Sequence, residues 1–153
     1  MKIKIEGRYK IDVLDKDGKL ISSSGWRKNG ITNAGFAAIA GLAGNTGGVS
    51  AFTYLAVGTS NTAFSASQTA LQAEITDTGL GRAAATVSRV TTTQTNDTLQ
   101  LTYTWTATGS KTVEEIGVFN ASSSGVMLGR ALTTTQTLVN TNQLAATYKI
   151  KFS

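Results

Sequence analysis

The chain has 153 residues and a net charge of +5, and it contains no cysteine, no histidine and no proline. The absence of cysteine rules out disulfides and thiolate chemistry, and the absence of histidine removes the commonest general base and transition-metal ligand. No apolar run approaches the roughly 18 residues of a membrane-spanning helix. The composition therefore predicts one domain with no catalytic site, no metal site, no cofactor and no membrane span.

Most of the positive charge lies at the N-terminal end of the sequence. Residues 1–28 hold eight Lys/Arg and four Asp/Glu, a balance of +4, which leaves +1 for all the other residues. The two signs interleave, and no basic run with interspersed aromatic residues occurs. This pattern favours a solvated strand face over a nucleic-acid surface. A basic edge that meets an acidic partner is the functional alternative.

The first third of the chain predicts a hairpin followed by a helix. Residues 2–13 alternate apolar and charged side chains, which indicates a long half-buried strand. Asp17-Gly18 is a hairpin-turn signal, so the return strand is expected over residues 19–26. Asn33 can cap a helix, and the apolar residues after it follow helical spacing. We therefore predict a short helix over residues 33–43.

A strand and a second short helix are predicted next. Residues 52–57 form an apolar run that stops at Gly58 and indicates a buried strand. Ser65 followed by Gln68 resembles a capping box before TALQAEI. We therefore expect one or two helical turns in the segment that ends at Ile75.

The rest of the chain predicts strands almost throughout. These strands cover residues 82–93 and 98–107, a hairpin over 112–133 that turns at Ser122–Gly125, and a closing strand over 144–152. The fold class is therefore mainly β, an antiparallel β-sandwich of jelly-roll-like type with about eight strands and one or two short helices.

The predicted domain covers residues 1–153 and has two parts. Residues 1–43 form a basic hairpin plus the short helix, and residues 51–153 form the main β-body. A two-stranded hairpin is not stable alone. We therefore expect residues 1–43 to pack on the main body or to act as an arm on a neighbouring subunit.

Glu114 and Glu115 are adjacent carboxylates, which on a strand point to opposite faces. They cannot by themselves form the carboxylate pair of a glycosidase. We expect Glu115 to pair with Arg130 or Arg82 in a structural ion pair that fixes strand register more than it adds stability.

Most of the aromatic residues lie at apolar positions of the predicted strands. Tyr54, Tyr103, Trp105 and Tyr148 are therefore expected to pack in the core. Trp26 is different, because it lies beside Arg27, Lys28 and Asn29 at a strand end. It is the best candidate for an exposed aromatic contact.

Several stretches of the chain carry a resemblance to a known family. They are the opening alternating strand, ITNAGFAAIAGL at 31–42, YLAVGTSNTAFSASQTALQAEI at 54–75, the strand from Arg82, VEEIGVFNASSSGVMLGRAL at 113–132 and the closing alternating strand. Their combination resembles structural proteins of tailed-bacteriophage virions, such as head decoration, cement or tail-associated proteins. Its fold signature is Glu115, Ile116, Gly117, Phe119 and Arg130, and the resemblance supplies no active site.

This resemblance implies a non-enzymatic virion protein that is made in the host cytoplasm. Such a protein would oligomerise, for example as a trimer, and would decorate or cement the capsid or join tail components. The expected partners are further copies of the chain and other virion proteins, with no membrane and no nucleic acid. The candidate interface residues are Trp26, Arg27, Lys28, Lys2, Lys4 and Arg8.

The alternative function is a carbohydrate-binding β-sandwich module of a tail fibre or baseplate. Such a module needs exposed aromatic rings beside polar loops. Exposure of Trp26 and Tyr54 distinguishes this alternative from the structural one.

Overall fold

The computed structural model describes residues 1–153, which form ten β-strands and one α-helix. The strands are β1 (Ile5–Leu14), β2 (Leu20–Ser23), β3 (Arg27–Ile31), β4 (Tyr54–Gly58), β5 (Ala83–Ala84), β6 (Thr86–Val90), β7 (Thr98–Thr106), β8 (Lys111–Phe119), β9 (Met127–Leu138) and β10 (Gln143–Phe152). The helix α1 spans Asn33–Ala43. No helix is long and apolar enough to cross a membrane.

All the strands pair antiparallel in one sheet, and this sheet nearly closes on itself. The strand order is β5-β4-β8-β9-β3-β1-β10-β7-β6, and β2 also pairs with β1. The two strands at the ends of this order, β5 and β6, follow each other in the chain with only Ala85 between them. The result is the predicted mainly β fold in the form of a barrel-like sandwich. We call β1, β2, β10, β7 and β6 the β1 half, and β9, β8, β4 and β5 the β8 half.

Strand β3 joins the two halves at one corner. Its first residues pair with β1, and Gly30 and Ile31 pair with β9. The corner is crowded, because a Cβ added to Gly129 would lie 2.5 Å from Nδ2 of Asn29. Asn29 donates a hydrogen bond to the hydroxyl of Tyr148, and burial raises the pKa of that hydroxyl above its ordinary range. The absence of a side chain at Gly129 therefore leaves room, where the sheet turns sharply, for Asn29 and its hydrogen bond to Tyr148.

The second corner lies between β5 and β6. The chain pairs with β4 through Ala83 and Ala84, and then with β7 from Thr86 onwards. Between them, the N–H of Ala85 donates to the carbonyl of Thr53 at 2.8 Å. The segment predicted as one strand over 82–93 therefore changes from one half of the sheet to the other at a single residue.

Residues 1–43 pack on their own chain in this structure. Strand β1 pairs with β10 over its full length. Its inward side chains Tyr9, Ile11 and Val13 are fully buried in the main hydrophobic cluster. Because β1 is an interior strand of the sheet, removing the N-terminal hairpin would open the core.

The structure has ten strands instead of about eight because one predicted strand is divided and one additional strand forms. The segment 82–93 divides at Ala85 as described, whereas the return strand predicted over 19–26 forms β2 alone and β3 follows it in residues for which no strand was predicted. Between β2 and β3, Gly25 has a positive φ of 63°. The hydroxyl of Ser24 accepts the N–H of Ile11 at 2.9 Å. The bend turns Trp26 out of the strand.

The second predicted helix, ending at Ile75, does not form. Its capping-box contact is present, since Oε1 of Gln68 accepts the N–H of Ser65 at 3.1 Å. However, the N–H groups of Gln72 and Ala73 donate to the carboxylate of Glu115. A helix would need these two donors for its own hydrogen bonds. A buried side chain from another strand therefore overrides the local helical signal.

We predict that Gly35→Ala destabilises the protein although alanine normally favours a helix. A Cβ at this position would lie 2.3 Å from the backbone oxygen of Leu128, so α1 would have to move away from β9. The expected loss in free energy of unfolding is about 1–3 kcal/mol, measured by urea denaturation. Gly44→Ala is the control, because its Cβ would make only ordinary contacts of 3.6 Å or more. Equal effects of the two substitutions would contradict this prediction.

Candidate functional site

The outer face of the β8 half is covered by the long connection between β4 and β5, residues 59–82. Leu71 of this connection packs with Ala56, Phe119 and Met127 in a small apolar cluster separate from the main core. Gly117 provides the space, since a Cβ there would lie 2.9 Å from a methyl group of Leu71. The connection is thus a packed layer on the sheet.

A fully buried ion pair lies beneath this layer. Nε of Arg130 donates to Oε2 of Glu115 at 2.6 Å, and both side chains have zero exposure. The same carboxylate accepts the N–H of Gln72 at 3.1 Å and that of Ala73 at 2.8 Å. Nη1 of Arg130 donates to Oε1 of Gln68 at 3.2 Å. The predicted contact between Glu115 and Arg130 is confirmed, and it also ties the connection to the sheet.

A second ion pair lies at the edge of the same layer. The guanidinium of Arg82 makes two hydrogen bonds to the carboxylate of Glu74, at 2.9 and 2.7 Å. It lies 3.6 Å from the centroid of the Phe119 ring. It also donates to the carbonyls of Ala121 and Ser124 in the turn between β8 and β9. Arg82 therefore joins this turn to the connection.

The five signature residues thus divide between the two faces of β8 and β9. Glu115, Gly117, Phe119 and Arg130 lie together under the connection, whereas Ile116 faces the main core. Glu114 points away from Glu115, and its carboxylate accepts only from Thr135. Glu115 and Arg130 are closed to solvent, and their hydrogen bonds hold the fold together.

The outer face of the β1 half carries a row of positive charges. Arg8 on β1 has Lys28 of β3 as its register partner on one side and Lys149 of β10 on the other. Lys151 lies opposite Glu6 in the neighbouring row. Glu6 is bound by Lys4 at 2.8 Å, and this contact holds the pKa of the carboxyl below its usual range.

Four cations of this face, Arg8, Lys28, Lys149 and Lys151, take part in none of the ion pairs of the structure, unlike Lys4 and Lys10. Directly opposed like charges on a sheet are destabilising. The row of three is therefore a local conflict that the rest of the fold tolerates.

Trp26 lies in a shallow groove of about 310 Å³ on this face. The groove is lined by Glu6, Arg8, Trp26, Thr92, Thr98, Lys149 and Lys151. The side chain of Trp26 is 48% exposed, which confirms the prediction of an exposed ring. Nζ of Lys149 lies 5.1 Å from the ring centroid and Nζ of Lys10 lies 5.8 Å from it. We call this feature the Trp26 groove.

One wall of the Trp26 groove is a fixed loop. The carboxylate of Asp97 accepts the backbone N–H groups of Thr92, Thr93 and Gln94 at 2.8–2.9 Å. These bonds hold the pKa of Asp97 well below its usual range. These hydrogen bonds fix the loop after β6 at this side of the groove.

The structure brings only part of the predicted interface together. Arg8, Lys28 and Trp26 share the β1 face, and Lys4 is engaged with Glu6. Arg27 is the register partner of Tyr9 and so lies on the other side of the sheet. Lys2 is exposed ahead of β1.

Lys149 and Lys151, which the sequence-based interface omitted, are central to the groove. Their alternation with the apolar residues of the closing strand placed them on an outer face. The pairing of β10 with β1 is what places them beside Arg8.

The other aromatic residues are mostly inside, as expected. Tyr148 is fully buried and Trp105 is 3% exposed. Tyr54 and Tyr103 are half-buried. Of the two rings that were to distinguish a sugar-binding module, only Trp26 is clearly accessible.

Comparisons with protein-family models, with curated proteins and with solved structures gave no match. The proposals below therefore use the sequence and the geometry of this chain alone. Two features stand out in that geometry, the buried ion pair of Glu115 with Arg130 and the cationic Trp26 groove.

We predict that breaking the buried pair strongly destabilises the protein. Arg130→Met leaves the Glu115 carboxylate buried without its guanidinium, and Glu115→Gln leaves the guanidinium unpaired. Each change is expected to lower the free energy of unfolding by about 3–5 kcal/mol, measured by urea denaturation. The double variant should lose less than the sum of the two single losses, because neither charge is then left alone.

Glu114→Gln is the matched control, since this glutamate is the neighbour of Glu115 on the same strand. It is expected to change stability by about 0.5 kcal/mol or less. Amide hydrogen exchange at Gln72 and Ala73 should accelerate in the Glu115 variant and not in the Glu114 control. Additive losses in the double variant, or unchanged exchange at these two amides, would contradict the role assigned to the pair.

Proposed function

We propose that this chain is a non-enzymatic structural protein of a tailed-bacteriophage virion. It oligomerises, for example as a trimer, and decorates or cements the capsid or joins tail components. The proposal starts from the sequence resemblance, and four of its five signature residues lie in the layer around Glu115 and Arg130. The sheet is nearly closed, and its longest connection is held to it by buried hydrogen bonds. A rigid protein of this kind is suited to an assembly of many identical copies.

The structural feature that best supports oligomerisation is an uncovered apolar groove at one end of the sandwich. This groove has a volume of about 420 Å³ and is lined by Ile39, Leu42, Ala43, Ala51, Phe52, Thr53, Val87, Leu99, Leu128 and Phe152. Thr53 is the one polar member, and none is charged. Leu42, Val87 and Phe152 are each more than a third exposed. Contiguous exposed apolar surface of this kind marks protein–protein contacts.

A second copy of the chain fits this groove in its chemistry. The groove lacks charge, so its partner must also offer uncharged apolar side chains. Each copy presents such side chains at the rim of the same groove. Contact between copies removes them from water without burying a charge.

We predict that the protein is an oligomer in solution and that Val87→Asp makes it a monomer. The new carboxylate would be buried without a partner in the contact, which disfavours association. Light scattering on the intact protein measures the mass directly. Val139→Asp is the control, because Val139 is 52% exposed and does not line the groove. A monomeric parent protein, or equal effects of both substitutions, would count against self-association through this surface.

The virion assignment has its own test. Antibodies raised against the folded chain should label purified particles of the tailed phage whose genome encodes it, at regular positions on the head or tail. Immunogold electron microscopy shows the positions, and mass spectrometry of the same particles measures copy number. Presence in the lysate together with absence from purified particles would refute the assignment.

The second candidate function is a carbohydrate-binding module of a tail fibre or baseplate. The half-exposed ring of Trp26 in a polar groove favours it, because apolar sugar faces stack on such rings. Tyr54 does not contribute, since it packs against the small apolar cluster under the connection.

A further inference from the structure

The cationic row of the β1 half has no ion-pairing role within the chain. Arg8, Lys28 and Lys149 lie side by side on three neighbouring strands, and Glu6, which lines the same groove as Arg8 and Lys149, is bound by Lys4. Residues that break a local rule of stability concentrate at functional surfaces. An anionic ligand would convert this repulsion into attraction.

We propose that the Trp26 groove binds an acidic oligosaccharide. A sugar ring lies on the exposed part of Trp26, and its carboxylate or sulfate lies between Arg8 and Lys149. This inference rests on the carbohydrate-binding candidate and specifies the charge of its ligand and the residues that bind it.

The arrangement of charge and ring favours a sugar over a nucleic acid. Single-stranded nucleic acids are bound by several aromatic rings on which successive bases stack. The Trp26 groove offers one ring, flanked by ammonium groups at 5.1 and 5.8 Å from its centroid. One platform with adjacent cations suits a ligand whose rings each carry their own acid group.

The position on the sheet disfavours an acidic peptide strand. Peptides commonly dock by adding a strand to a free sheet edge. Strand β1 has β10 on one side and β2 and β3 on the other, so its backbone is already paired. A ligand on this face must be recognised through side chains, and those available are cations, hydroxyl groups, one indole ring and the carboxylate of Glu6, which is bound by Lys4.

The groove is also preformed on the side of the loop after β6. Asp97 fixes the loop that carries Thr92, and Thr92 and Thr98 are themselves joined at 2.7 Å. Preorganisation lowers the entropic cost of binding. The volume of about 310 Å³ is at the lower end of the range for small-molecule sites, roughly 300–1,000 Å³, which fits a short segment of a chain.

The test is isothermal titration calorimetry with matched probes. The acidic probes are trigalacturonate and a heparin-derived tetrasaccharide, and the neutral probe is the methyl ester of trigalacturonate. We expect at least one acidic probe to bind at least about tenfold more tightly than the ester, with affinity falling as salt rises. A ten-residue oligothymidylate and a glutamate hexapeptide test the two competing ligand classes.

The variants are Trp26→Ala and the double change Arg8→Gln/Lys149→Gln. Each should weaken acidic-sugar binding by about tenfold or more. The control Lys16→Gln/Lys19→Gln removes the same charge from the β1–β2 turn and should leave binding unchanged. Thermal unfolding midpoints close to that of the parent protein show that each variant is folded.

Each contrary outcome has a distinct meaning. Equal binding of the ester at Trp26 would overturn the acidic-ligand inference but keep the carbohydrate candidate. Tighter binding of oligothymidylate or of the peptide would overturn the inference in favour of that ligand class. No binding of any sugar at millimolar concentration would overturn both the inference and the carbohydrate candidate, and it would leave the virion proposal to its own test.

Discussion

The ion pair between Glu115 and Arg130 joins three parts of the molecule. It connects neighbouring strands β8 and β9, and through Gln68, Gln72 and Ala73 it fastens the connection between β4 and β5. Two charges taken fully out of water incur a large desolvation cost. Here the carboxylate has three donors, two of them backbone N–H groups of the connection. The layer over the β8 half therefore depends on this pair being intact.

This pair also explains the small residues around it. Gly58 faces Glu115, where a Cβ would lie 2.3 Å from Oε1. Gly117 makes room for Leu71 in the same layer. The guanidinium of Arg82 covers the ring of Phe119. The signature residues of the 113–132 segment are thus the place where the connection between β4 and β5 packs on strands β8 and β9.

The two halves of the sandwich use charge in opposite ways. In the β8 half, cations are buried against carboxylates and serve the fold. In the β1 half, Arg8, Lys28 and Lys149 are left without acidic partners on an outer face. The outer face of the β8 half is covered by a tightly held connection, whereas the outer face of the β1 half exposes unpaired positive charges. The exposed, charged face is suited to contact with another molecule. The apolar groove at the end of the sandwich adds a second surface of different chemistry, so the proposed self-association and the proposed ligand binding use different surfaces.

Much of this protein could be predicted from alternation along the chain. The period of two in residues 2–13, 98–107 and 144–152 determined the strands and their buried faces, because successive side chains on a strand point to opposite sides. The Asp17-Gly18 turn and the helix over 33–43 also followed from local pattern, and the ion pair of Glu115 was narrowed to Arg130 or Arg82, of which the structure selects Arg130.

What the tertiary structure decided is which strands meet. The register of β10 against β1 brings Lys149 beside Arg8, and the pairing of β3 with both halves places Lys28 in the same row. The helix expected before Ile75 was lost because Glu115, distant in sequence, takes its backbone donors. Local pattern fixes the face on which a side chain lies, but neighbours from distant strands are chosen by the packing of the whole core, and no short stretch of sequence contains that choice.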